Sequence, residues 1–183
     1  MCIRDRYYKG LAKALKIAAA LIPMPKPTLF TGAGSSLELC SAISQLGIKK
    51  VLIVSDKVLV EIGLLKAIEA RLKEEGVSYV IYDGILPDPT YDQIEAGLEI
   101  LKNNQCEAIL AVGGGSPIDA SKAIAARATN DKSLVKMSGL FKLRKATLPL
   151  FAVPTTAGTG SEVTLSLIHI SEPTRPLYIS YAV

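Results

Sequence analysis

The chain has no tryptophan, one histidine (His169) and three cysteines among 183 residues, and aromatic residues make up only 5%. Each shortage excludes something. One imidazole cannot build a multi-histidine metal site or a cluster of histidine switches. Cys2, Cys40 and Cys106 show no metal-ligand spacing, and an odd, scattered set suits a reducing compartment rather than a disulfide framework. Few aromatics and a net charge of only +4, with no basic run interleaved with aromatics, argue against nucleic acid as a partner. The apolar stretch at Ile17–Ile22 is too short to span a bilayer, and no secretory signal is present. These absences give the expectation of a cytoplasmic protein that binds no nucleic acid and no membrane.

What is present is 49% hydrophobic sequence, enough for the core of one globular domain. Its centre is AILAVGGGSPIDASKAIAAR, residues 108–127. Ala108–Val112 is a short apolar run of the kind that forms a buried strand. Gly113, Gly114 and Gly115 follow. Ser116 is then the expected N-cap, with Pro117 at the first helical position and Asp119 completing a capping box. A strand, a glycine turn and a helix N-terminus present backbone N–H groups at the positive end of a helix dipole, which suits a phosphate. The plain alternative is a tight turn using glycine for positive φ, but three consecutive glycines exceed that need. The pattern is neither G-x-G-x-x-G nor a Walker loop.

The two ends read differently. Met1–Arg6 and the start of Leu165–Arg175 can be encoded by reverse-complementary DNA strings that resemble a transposase adapter used in sequencing libraries. Residues 1–6 and 165–183 are therefore expected to be adapter-derived, leaving 7–164 as the domain and giving His169 no role as a ligand.

Within that domain, Tyr7–Ile22 has the period of an amphipathic helix, and Pro23–Pro27 is a connector. Thr28–Thr31 is expected as a short strand. Ser35 and Glu38 form a possible capping box for a helix reaching Leu46. Val51–Val54 is an apolar strand ending in Ser55-Asp56, an acid positioned either to accept from a ribose or to cap the next helix. Helix Leu64–Glu75, strand Tyr79–Tyr82, the loop holding Asp88, helix Tyr91–Asn103, an irregular Asn130–Lys145 and strand Leu148–Val153 complete the series. The last strand runs into Pro154-Thr155-Thr156-Ala157-Gly158-Thr159-Gly160-Ser161-Glu162, whose hydroxyls can serve a ligand or merely the turn. Alternating strands and helices give an α/β fold with a mainly parallel sheet, in which ligands gather at the carboxyl ends of the strands.

GGGSPIDASKAIA and PTTAGTGSEVT together resemble the iron-containing (group III) alcohol dehydrogenases, with VLIVSD and PDPT at matching places. The resemblance covers nearly all of Tyr7–Thr164. It implies a Rossmann-like cofactor domain with helices on both faces of its sheet, and a C-terminal helical metal domain that this chain lacks. By resemblance NAD is the cofactor. Gly113, Gly114, Gly115 and Ser116 would bind its pyrophosphate, and Thr155, Thr156 and Thr159 its phosphate, ribose or nicotinamide side. Asp56 would stand near the adenosine ribose, favouring NAD over NADP, and Asp88 matches a cleft position that is often Asn in relatives. The family's Fe2+ or Zn2+ uses one Asp and three His beyond the second motif. None of these is present, so no catalytic or metal residue is assigned and the isolated chain is expected to be inactive. The parent enzyme is expected to oxidise a small alcohol reversibly and to form homo-oligomers. The alternatives are a non-catalytic nucleotide-binding fragment and a relative such as a glycerol dehydrogenase or dehydroquinate synthase.

Overall fold

In the computed structural model, residues 28–131 and 145–161 are described, together with the backbone strands 170–172 and 175–177. The expectations for Met1–Arg6, Tyr7–Ile22, Pro23–Pro27, most of Asn130–Lys145 and His169 lie outside the described residues.

The elements run α1 (Ser35–Gln45), β1 (Lys50–Val54), α2 (Lys57–Glu61), α3 (Lys66–Glu74), β2 (Ser78–Tyr82), α4 (Tyr91–Asn103), β3 (Ala108–Gly113), α5 (Gly115–Thr129) and β4 (Leu150–Pro154). A separate antiparallel pair joins β5 (Ile170–Glu172) to β6 (Arg175–Leu177). The main sheet is parallel throughout, in the order β2-β1-β3-β4. The chain steps outward from β1 to β2, crosses back to β3 and continues outward to β4. The order therefore reverses between β1 and β3, and an open α/β sheet splays its loops apart at that point to form a ligand crevice.

The core follows from strand alternation. Leu52, Val54 and Ile109 pack on one side with Ile94, Leu98 and Ile124 of α4 and α5. Val51, Ile53, Leu110 and Val112 pack on the other with Ile43 of α1 and Ile68 and Leu72 of α3. With helices on both faces, β3 is buried along its whole length, as its unbroken apolar sequence predicts. Each large aliphatic side chain sealed this way contributes roughly 1.5–3 kcal/mol.

Several local expectations change. Thr28–Thr31 forms no strand, and α1 is capped by the backbone of Gly34 in a left-handed conformation, not by the Ser35 side chain. The expected helix Leu64–Glu75 is preceded by the short α2 and itself begins at Lys66, after a turn at Gly63 with φ of 76°. By contrast α4 spans the expected Tyr91–Asn103, because Thr90 and Gln93 form a full capping box.

Candidate cofactor site

The glycine turn is where local rules and tertiary structure part. α5 begins at Gly115 with Gly114 as N-cap and no side-chain cap, so Ser116 is its second residue and Pro117 its third. The expectation that Ser116 caps the helix is corrected. Gly113 has φ of +155°, and a Cβ there would lie 2.6 Å from Pro117 Cγ. The chain passes from β3 into the helix through Gly114, so the cap falls two residues earlier than Ser116. Pro117 is tolerated because first-turn amides have no intrahelical acceptor. Asp119 forms no capping box either; it lies in the second turn, where Lys122 Nζ donates to its Oδ1 at 3.0 Å, with both groups largely buried. The amides of Gly115 and Ser116 open the helix and point from its positive end.

The loop after β4 closes over this turn. Gly113 is in register with Pro154, and Thr155 N–H donates to the Gly113 carbonyl at 2.9 Å. A Cβ on Gly114 would stand 3.1 Å from Thr156 Oγ1, and one on Gly115 would stand 3.5 Å from Thr159 Cγ2 and 3.3 Å from Ser161 Oγ. The second and third glycines thus keep open the space between helix and loop, a cradle that side chains would fill. Thr155, Thr156 and Thr159 are exposed, while Ser161 is buried. Thr159 Oγ1 also accepts weakly from Ser161 N–H at 3.5 Å, so its hydroxyl serves the turn as well.

Asp56 arrives from the other side of the topological reversal. Its Oδ1 accepts from Leu59 N–H at 3.0 Å and caps α2, while its backbone bridges to Gly84 in the loop after β2. The capping reading of Asp56 is therefore realised, and the residue is partly exposed. Asp88 is exposed on that same loop, with a left-handed backbone at φ of 54°. It enters from outer strand β2, two strands away from the glycine turn. The structure thus joins Gly113–Ser116 with Thr155–Thr159, sets Asp56 on the neighbouring strand end and leaves Asp88 at the margin. Tyr82 steadies this margin: its hydroxyl donates to the Gln93 carbonyl at 2.7 Å, and burial pushes its phenol above the ordinary range.

Sequence reasoning missed Ser55. Its side chain is fully buried, and its hydroxyl donates to the Val112 carbonyl at 2.8 Å, tying the end of β1 to the residue before the glycines. A serine closing an otherwise apolar strand was the available signal.

The family model for iron-containing alcohol dehydrogenase matches residues 26–179. The chain belongs to the iron-containing alcohol dehydrogenase family. It is 40% identical over 164 residues to alcohol dehydrogenase 4 of Schizosaccharomyces pombe, covering 90% of this chain and 38% of that protein. It is 36% identical over 149 residues to an NAD-dependent methanol dehydrogenase of Bacillus methanolicus, covering 81% of this chain and 39% of that one. A crystal structure of 1,3-propanediol oxidoreductase superposes with a TM-score of 0.81 at 32% identity, covering 86% of this chain and 41% of the other. The chain thus spans about 40% of the length of these relatives. Among the described residues, no group of three or more His, Cys, Asp and Glu is placed to hold a metal ion, and no helix is long and apolar enough to cross a membrane.

Proposed function

We propose that this chain is the cofactor-binding part of an NAD-dependent alcohol dehydrogenase and that the dinucleotide lies across the β1/β3 reversal. The observation that carries the reading is the cradle at Gly114 and Gly115, roofed by Thr156 and Thr159. It is lined by amides at a helix N-terminus, which favour an anion. Gly113, Gly114, Gly115 and Ser116 hold the pyrophosphate through their backbone. Thr155, Thr156 and Thr159 donate or accept at the phosphate, ribose or nicotinamide side. Asp56, already fixed by its cap to Leu59, accepts from the adenosine ribose and repels a 2′-phosphate, which favours NAD over NADP. Asp88 lines the margin of the cleft.

Bound in this way, NAD supplies the acceptor for the hydride that leaves an alcohol carbon as the carbonyl forms. The chain's own part is to bind and orient the dinucleotide. The metal chemistry of the parent, with Fe2+ or Zn2+, is assigned to residues beyond this chain. With one histidine in the whole sequence, a site needing three cannot be assembled here. The isolated chain therefore binds NAD and does not oxidise alcohols, and the parent is a cytoplasmic homo-oligomer acting on a small alcohol or aldehyde.

Calorimetric titration of the 183-residue chain with NAD and with ADP, followed by an alcohol oxidation assay with added Fe2+ or Zn2+, tests this reading. Binding of both nucleotides without turnover is expected. A folded chain that binds neither nucleotide would overturn the site, and metal-dependent turnover would overturn the assignment of catalysis to absent residues. Sequencing the source DNA across the Thr164 codon tests the proposed parent, whose frame is expected to continue into an Asp and three His.

A further inference from the structure

We propose that Ser55 is a positioning residue for the anion-binding turn, acting through the Val112 carbonyl. This rests on the nucleotide reading above and adds to it a residue that contacts no ligand.

The ladder between β1 and β3 runs from Val51 opposite Ala108 to Val54 opposite Ala111. One residue further, Ser55 continues the alternation toward β2, its N–H donating to the Tyr82 carbonyl at 2.9 Å, and Asp56, the next residue due to face β3, bridges to Gly84 and caps α2 instead. No β1 amide is left to meet the next β3 carbonyl. The Ser55 hydroxyl takes that place, donating to the Val112 oxygen at 2.8 Å. Both residues are almost completely buried, so water is a poor substitute as donor. On the opposite edge, Thr155 N–H holds the Gly113 carbonyl at 2.9 Å. The last two carbonyls of β3 are therefore held from two sides, one by the loop after β1 and the other by the loop after β4. Between them they orient the Val112–Gly113 and Gly113–Gly114 peptide planes, the second of which carries the Gly114 N–H. A glycine turn has little side-chain restraint of its own, so its amides keep their aim through these two bonds. The Ser55 bond also spans the point where the strand order reverses, which is where the proposed pyrophosphate lies.

The test compares ADP, which carries a pyrophosphate, with adenosine, which carries none. Calorimetry is run on the full 183-residue chain as wild type, Ser55→Ala and Ser55→Thr. Ser55→Ala is expected to raise the Kd for ADP roughly three- to tenfold, the range of one lost hydrogen bond. Adenosine should change by less than about twofold, and Ser55→Thr, which retains the hydroxyl, should recover ADP binding. If the alanine variant does not fold, Ser55→Cys carries the same comparison, because it keeps the volume and weakens the donor. Equal loss of both ligands, or unchanged ADP binding in a folded variant, would overturn the positioning role. Failure of the wild type to bind ADP would instead overturn the nucleotide reading.

Discussion

Thr156 Oγ1 stands 3.1 Å from the place where a Cβ on Gly114 would lie, whereas Pro117 Cγ stands only 2.6 Å from the equivalent point on Gly113. The two neighbouring glycines are thus required for different reasons. Gly113 has a backbone that side chains rarely adopt and meets a rigid ring. Gly114 has ordinary extended backbone and faces the exposed, adjustable end of a threonine. Gly113→Ala should cost about 2–4 kcal/mol of folding stability, from strain and overpacking together. Gly114→Ala should cost less than about 1 kcal/mol yet lower NAD affinity by filling the cradle. Urea denaturation and NAD titration of the two variants separate the effects, and a strong stability loss in Gly114→Ala with unchanged affinity would refute the assignment.

Asp56 combines a structural and a proposed recognition role on one carboxylate. Asparagine caps a helix about as well as aspartate, while alanine does not. Asp56→Asn should therefore stay within about 0.5 kcal/mol of wild type, and Asp56→Ala should lose about 1 kcal/mol. Both should relax the preference for NAD over NADP, since both remove the charge that repels a 2′-phosphate. The check is the ratio of dissociation constants for the two dinucleotides, with a denaturation curve for each variant. An unchanged ratio in both variants would leave Asp56 as a cap alone.

Cys40 gives a pH test of the α1 packing. Its thiol is buried, and burial pushes its pKa from 9.0 up to about 11, partly offset by Arg71 nearby. The folded state therefore holds a proton that the unfolded chain releases first. Stability should be intact below about pH 9 and fall as the pH rises towards about 11. Other groups titrate in this range, so the informative quantity is the difference between wild type and Cys40→Ala. That difference should shrink between pH 8 and pH 10.5; a constant difference would show that the thiol ionises equally in both states.

Much of this architecture was legible from the sequence because it rests on local rules. The apolar runs at 51–54 and 108–112 had only one good environment, a sheet covered on both faces, and the helices between them carried apolar stripes of the right period. Thr90 and Gln93 specified the start of α4 through their own side chains, and the boundary agreed with the expectation. The glycine run and the threonine-rich loop were recognisable as a pair by family resemblance, and parallel order put both on one edge of the sheet.

Tertiary structure decided what local chemistry left open. Ser116 and Ser35 are good capping residues, yet both helices have glycine at the N-cap. At α5 the chain passes from β3 into the helix through Gly114, and at α1 a left-handed Gly34 sets the entry. Asp119 was read as a partner of the helix end but found Lys122 instead. The distance of Asp88 from the glycine turn depended on β2 being an outer strand, and strand order is not written in any short motif. The pairing of Ser55 with Val112 joins positions 57 residues apart. Hydrophobic period and capping chemistry act over a few residues, so the sequence by itself determined the alternation of buried strands and helices and, at α4, the polar groups that begin the helix. Which polar group meets which carbonyl depended on the order and register of the strands, a property that exists only once the sheet is assembled.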